Sequence, residues 1–386
     1  MADQFGRPPH KSDPCPDSTP QAEPAQRDGL PAGPVRGRGA GLSPGNRFET
    51  VRLHILGEER DRARLEQDPP ARPRTTTLED ATRSVLNRVE SPDLPFSWSL
   101  NPYRGCEHGC VYCYARPTHE YLGLSCGLDF ETRILAKHDA PAILREQLAR
   151  PGWKGEPIMI SGVTDPYQPV ERELGITRAC LLVAAECRQS VSVITKNALV
   201  TRDIDVLERL AAVNAVSVSL SITTLDERVR RVMEPRTSTA ENRLDAIRRL
   251  RRAGIPVGVN VAPIVPGLTD HEIPQILQRA ADAGAQFAMF IVLRLPFGVK
   301  DLFEAWLQEH FAGRAQKVLR RVMELRGGRL NDPAFGQRMR GTGTWAETFA
   351  GVFHKARDRA GLRHSYPTLS VEAFRRDTRQ LGLFDD

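Results

Sequence analysis

The middle of this 386-residue chain is predicted to be α/β, a partial (β/α)6 TIM-like barrel. Two observations predict it. After Pro95 six short apolar, β-branched runs alternate with longer amphipathic segments. Gly254 and Gly284 each fall where a helix must turn back into a strand. Six parallel strands joined by right-handed crossovers must be covered by helices or curl on themselves. They are too few to close an eight-stranded barrel, so the sheet is expected to stay open, with a doubly wound sheet as the alternative.

The strands are expected at 96–100, 157–161, 191–195, 215–222, 256–262 and 287–293, with helices over 140–149, 203–212 and 239–253 between them. A further helix over 301–325 would cover the barrel edge, closing a core domain of residues 95–325. Residues 1–46 are rich in Pro, Gly, Asp and Arg without apolar periodicity, which predicts disorder. Residues 47–94 read as a lead-in: an apolar stretch at 51–56, then a helix capped by Thr77 with Asp80 in its first turn. Residues 326–386 form a C-terminal extension and tail, Gly-interrupted over 335–362.

No apolar run approaches the roughly 20 residues of a membrane helix, and no signal peptide is readable at the start, so a cytoplasmic protein is expected. Seven cysteines are an odd count, and three fall at 106, 110 and 113, too close for mutual disulfides. Reduced thiolates fit better. The formal charge of +6 comes mostly from arginine, which permits phosphate binding, although Arg248, Arg249, Arg251 and Arg252 read as a solvated helix face.

The segment Asn101-Pro-Tyr-Arg-Gly-Cys106-Glu-His-Gly-Cys110-Val-Tyr-Cys113-Tyr114 follows the first strand, at the end of the sheet where ligands bind. Its spacings let one loop wrap a [4Fe–4S] cubane, each thiolate on a different iron, with Gly105 and Gly109 permitting the tight backbone. A fourth iron is then open to a substrate or cofactor. Cys126 or His108 as a fourth ligand would instead give a closed cluster or a structural zinc site, a non-enzymatic module for nucleic-acid or clamp binding. Cys180 and Cys187 lie on an apolar helical pattern and are expected to pack in the core.

The Cys-x3-Cys-x-aromatic-Cys loop after a first strand resembles the radical S-adenosylmethionine (SAM) superfamily over about residues 95–325. Tyr112 and Tyr114 flanking Cys113 resemble its spore photoproduct lyase branch, as do Thr164-Asp-Pro-Tyr-Gln-Pro169, Thr195-Lys-Asn197, Glu234-Pro-Arg236 and Ala262-Pro-Ile-Val-Pro-Gly267. The resemblance implies a cluster on Cys106, Cys110 and Cys113, SAM chelated at the open iron, an electron donor, and reductive cleavage to a 5′-deoxyadenosyl radical that takes a hydrogen atom from the substrate. It implies that Ser161, Thr164 and Asp165 receive the methionine amino group, that Lys196 or Arg236 pairs with the carboxylate, and that Ser219 and Ser221 meet the ribose. Tyr112 would pack beside the cluster and adenine, and Tyr112 and Tyr114 are the catalytic candidates, since the resemblance implies that the tyrosines flanking the last cysteine take part in returning the hydrogen atom to the substrate radical. The branch returns the hydrogen atom from a cysteine on a later segment; here only Cys126 follows the cluster before the second strand.

The tail sequence Gln380-Leu-Gly-Leu-Phe384 resembles the peptide by which bacterial DNA repair and replication proteins dock on the sliding clamp. Leu381, Leu383 and Phe384 would fill an apolar pocket while Gln380 fixes orientation. With the arginine excess, this favours a DNA substrate over a small metabolite.

Overall fold

The computed structural model describes residues 37–48 and 73–376. Its strands in chain order are β1 (Thr76–Glu79), β2 (Leu86–Arg88), β3 (Trp98–Leu100), β4 (Tyr103–Arg104), β5 (Arg133–Ala136), β6 (Ile158–Ile160), β7 (Val191–Thr195), β8 (Val216–Ser221), β9 (Val257–Ile264) and β10 (Ala288–Val292). Seven form one sheet in the order β10-β9-β8-β7-β6-β3-β2. All neighbours in it are parallel except β2, which runs antiparallel to β3. The six parallel strands are the six that the apolar runs predict, and among the described residues the sheet does not close from β10 back to β2, β10 instead bonding the C-terminal segment at Arg363 and Met339, so the barrel is partial.

Helices Ala140–Ala149, Ile176–Glu186, Ile204–Ala211, Ala240–Arg252 and Ile273–Asp282 pack their apolar sides on the sheet. The pattern of β8 shows the division of labour: Val216, Val218 and Leu220 face the helices, while Ser217, Ser219 and Ser221 turn inward, all buried. Cys180 and Cys187 are in the helix-side core, as expected. Gly254 and Gly284 adopt φ of +74° and +99°, a left-handed conformation that lets each helix turn into the next strand. Helix Val299–Glu324 follows β10, and helix Gly343–Arg359 lies against helix Ile273–Asp282 and completes the main core. Among the described residues no helix is long and apolar enough to cross a membrane.

Two local expectations fail. The Thr77 region is a strand, not a helix: β1 pairs in parallel with β5, which pairs antiparallel with β4 in a small second sheet. The β-branched run Thr75-Thr-Thr77 favours that pairing over the cap that Thr77 offers. Within the stretch assigned to disorder, residues 37–46 form an ordered strap. Gly39 N–H and Ala40 N–H donate to the two carboxylate oxygens of Glu131 at 3.0 and 2.8 Å, and Ala40 is 2% exposed. The apolar stretch at 51–56 and the clamp-like residues 380–384 lie outside the described residues.

Candidate active site

The cysteine loop leaves the carboxyl end of β3 and is pinned from three sides. Cys106 N–H donates to Phe130 O at 2.8 Å and Val111 N–H to Met233 O at 3.1 Å. Gln168 brackets the loop, accepting from Glu107 N–H at 2.9 Å and donating to Gly105 O at 3.1 Å. Gly109 has φ of +65°, and a Cβ there would lie 2.6 Å from the Glu131 carboxylate, so no side chain fits. The wholly buried Arg116 ties the loop to the segment behind it, donating to Cys110 O at 2.9 Å, to Gly127 O at 2.9 Å and to Glu131 at 2.5 Å. Sequence reading missed Arg116; its place three residues after the last cysteine is the only local signal.

Cys106, Cys110 and Cys113 line one cavity of about 470 Å³ at the carboxyl ends of the strands. Tyr112, Tyr114, Ser161, Thr164, Asp165, Lys196 and Ser221 line it too. Directly after β6, Ser161 has φ of +145° and Gly162 has +111°, which turns the chain back toward the cysteine loop. Tyr114 hydroxyl donates to Gly162 O. Tyr112 is buried with its ring 6.0 Å from Lys196 Nζ, and its hydroxyl donates to Glu234.

Glu234, which the Glu-Pro-Arg motif contained but sequence reading did not single out, is the buried anchor of this wall. It accepts from Thr223 Oγ1 at 2.7 Å and Arg243 Nη2 at 2.8 Å as well as from Tyr112. Burial alone would raise its pKa, but the charges of Arg243 and Lys196 and the bond from Tyr112 outweigh that and hold the carboxyl at about 2.

Asp165 is similarly held at about 2: burial would raise it, and His108 together with the hydrogen bonds from Thr195 and Lys196 wins. Its Oδ1 accepts from Thr195 Oγ1 at 2.6 Å and Tyr167 N–H at 2.9 Å; its Oδ2 accepts from Lys196 N–H at 2.7 Å and lies 3.3 Å from His108 Nδ1. A carboxylate has about four lone-pair sites, and all are used. Asp165 therefore fixes the backbone under Lys196 and the ring of His108, with no capacity left to accept an amino group. Thr164 differs: its hydroxyl donates to Tyr103 O at 3.0 Å, which fixes its orientation and leaves its oxygen lone pairs able to accept.

Two predicted contacts are not brought to the cavity. Arg236 pairs with Glu107 at 3.1 Å instead of lining it, because Glu107 is the buried carboxylate within its reach. Ser219 lies deeper in the barrel, bonded to Tyr366 from the C-terminal segment, and only Ser221 of the pair reaches the cavity.

The donor set suits a cubane. Burial, then Asp165 and the neighbouring cysteines, raise the Cys106 pKa, and burial and Glu234 raise that of Cys110, so these thiolates need a cationic partner. Among the described residues no three His, Cys, Asp or Glu side chains converge as ligands of a single ion would, whereas cubane thiolates each take a separate iron. Neither candidate fourth ligand is free. Both nitrogens of His108 have neighbours, Asp165 and Asn197 Nδ2 at 3.4 Å. Cys126 does not line the cavity; it is buried with Ala40 and Leu302.

A family model described as the Radical SAM superfamily matches residues 100–280, from the end of β3 through β9 and its following helix. The chain belongs to the radical SAM superfamily. It is an enzyme of the radical SAM type, using a [4Fe–4S] cluster and SAM. An uncharacterised protein of Mycobacterium tuberculosis (strain ATCC 25618 / H37Rv) is 37% identical over 58% of this chain and 67% of its own. An uncharacterised protein of Acidianus two-tailed virus is 30% identical over 52% and 68%. Among solved structures, spore photoproduct lyase complexed with a dinucleoside spore photoproduct superposes with a TM-score of 0.58 at 16% identity, over 84% of this chain and 89% of that one. That likeness is one of fold.

Proposed function

We propose that Cys106, Cys110 and Cys113 hold the cluster of this radical SAM enzyme, and that its substrate is a lesion or modified nucleotide in DNA. The observation that carries the first part is the convergence of the three thiols with Lys196 and Ser221 on one cavity at the strand ends. When bound, the reduced cluster and SAM supply a 5′-deoxyadenosyl radical for hydrogen abstraction. Lys196, held by Asp165, pairs with the SAM carboxylate; Ser221 offers its hydroxyl to the ribose; Ser161 bends the chain to receive the amino group. Tyr112 keeps water from the cluster side, its hydroxyl spent on Glu234, and Tyr114 faces the substrate. An external donor supplies the electron.

The fold likeness to a protein solved with a dinucleoside lesion supports the DNA reading. So do the aromatic and apolar groups of the cavity, among them Phe96, Met289 and Phe290, which suit a base, and the arginines at its mouth. Cys126, walled off from the cavity, is not placed to return a hydrogen atom, which favours a reaction other than photoproduct reversal. The test is mass spectrometry of 5′-deoxyadenosine formed by anaerobically reconstituted enzyme with oligonucleotides carrying candidate lesions. A lesion that stimulates its formation is the expected result. No stimulation by any DNA, alongside stimulation by a small metabolite, would refute the substrate class.

A cytoplasmic setting suits an oxygen-sensitive cluster held by reduced thiols. We also propose that Gln380, Leu381, Leu383 and Phe384 dock on a bacterial sliding clamp. Deleting residues 380–386 is then expected to abolish co-purification with the clamp, and an unchanged yield would count against docking.

A further inference from the structure

The carboxyl end of β10, the last parallel strand, carries cationic charge that the protein does not neutralise. Arg294 follows β10 by two residues and lines the cavity beside Tyr114, its guanidinium 4.4 Å from the Tyr114 ring centroid. Among the described residues it has neither a hydrogen bond nor an ion pair of its own, and its charged surroundings include Arg338, Asp93 and Cys113. Arg340 also lines the cavity, is exposed at its mouth, and has no side-chain partner among the described residues. Arg326, 0% exposed, donates only to the carbonyls of Val292, Leu293 and Gln337, and its Nε has no partner among the described residues.

The carboxylates whose charge acts on Arg294 and Arg326 among the described residues are Asp93 and Asp332. Asp93 is already engaged by Arg338 Nε at 2.5 Å and by Gly336 N–H at 2.6 Å. That bond joins the segment after β2 to the segment beside β10, across the open side of the barrel. It leaves Arg338 neutralised and Arg294 and Arg340 unmatched. A guanidinium left half-buried without an anion, as Arg294 is, is costly, so the arrangement calls for an anion from outside, with the exposed Arg340 adding charge at the mouth. Because the free cations run from the cavity wall at Arg294 to the outer surface at Arg340, a chain carrying repeated negative charges fits them better than a single small anion does.

We propose that Arg294 and Arg340 form a phosphodiester-binding track that seats the backbone of a nucleic-acid strand while one base enters the cavity against Tyr114. This rests on the nucleic-acid reading above and adds where and how the strand is held. Arginine presents a planar fork of donors to phosphate oxygens, and such contacts position a strand without reading its sequence. Arg326 and the Arg338–Asp93 pair act as positioning residues that fix the end of β10 and the 336–340 segment bearing Arg340.

The test is fluorescence anisotropy on anaerobically reconstituted enzyme. One probe is a labelled single-stranded oligothymidylate; the other is its uniformly methylphosphonate-substituted twin, which keeps the bases and loses the charge. The wild type is expected to bind the phosphodiester probe roughly tenfold or more tighter than the neutral twin. R294Q/R340Q should bring the two probes to the same weak affinity. It should also lower the slope of log affinity against log salt by about 1.4, close to 0.7 for each lost phosphate contact on a single strand. R252Q, an exposed arginine at the far end of the barrel, should change neither. If R294Q/R340Q binds the phosphodiester probe as the wild type does, or R252Q weakens binding as much, the track is overturned while nucleic-acid binding stands. If the wild type binds neither probe, the nucleic-acid reading itself falls and the track with it. R340Q alone guards against a folding defect, since Arg340 is exposed: retained binding of the phosphodiester probe with an unchanged salt slope would likewise overturn its part.

Discussion

Replacing Glu234 by Gln removes one negative charge from beneath Tyr112 at almost constant volume, and the structure sets the size of the effect. The carboxyl sits at about 2 in the folded protein against an ordinary 4.5, a difference worth about 3 kcal/mol at 1.36 kcal/mol per unit. This agrees with the roughly 3–5 kcal/mol typical of breaking a buried ion pair, here by leaving Arg243 without its carboxylate. Arg243 keeps bonds to Ser221 O, Ser238 O and Thr237 Oγ1, which places the loss at the lower end of that range. A depressed carboxyl stabilises the fold in full above about pH 4.5, and that contribution fades as pH falls toward 2. Between pH 5 and 8 the gap between wild type and E234Q is therefore expected to be flat. Chemical denaturation of the reconstituted enzyme, followed by circular dichroism across that range, measures it. A gap below about 1 kcal/mol, or one that widens steadily with pH, would refute the reasoning.

Other perturbations probe the strap and the Lys196 platform. G39A would put a Cβ 1.7 Å from Gly109 O, backbone that has no side chain to move aside, so the strap must lift off Glu131. Trypsin cleavage at Arg38 and Arg47 is expected to accelerate at least about tenfold; an unchanged rate would mean the strap does not depend on that contact. D165N turns one acceptor into a donor facing Lys196 N–H or Thr195 Oγ1 and should cost about 1–3 kcal/mol. Because Asp165 sits at about 2 against 3.8, the wild type should lose roughly 2 kcal/mol of stability as pH drops through that window, and D165N should lack that part of the acid dependence. Parallel acid-denaturation curves for the two proteins would contradict it.

The six parallel strands were readable because each is a short run, mostly apolar, with its positions buried or half-buried; β7, expected at 191–195, is observed as Val191–Thr195. Strands that pair at an edge were not. The sequence of β2 is Leu-Asn-Arg and that of β1 is Thr-Thr-Leu-Glu, short and mostly exposed, so neither alternation nor apolar run marks them. The strap escaped for a different reason: its order comes from Glu131, some ninety residues downstream, and composition is blind to such a partner. In the site, the cysteine spacing was sufficient to locate the cavity wall. Alternation along β8 gave the right face for Ser219 and Ser221 but not their depth, which Tyr366 decides. The Glu-Pro-Arg motif drew notice to Arg236 because guanidinium suits a carboxylate ligand; Arg236 is spent on Glu107 of the cysteine loop, while the buried carboxylate two residues before it holds Tyr112 on the cavity wall.

Iron analysis with electron paramagnetic resonance of anaerobic, dithionite-reduced enzyme, before and after adding SAM, bears most directly on a cubane seated by three thiolates. Four irons per chain, a spectrum that shifts when SAM is added, and loss of both the shift and 5′-deoxyadenosine formation in C110A are the expected results. A spectrum indifferent to SAM, or a C110A variant that forms 5′-deoxyadenosine at the wild-type rate, would contradict it.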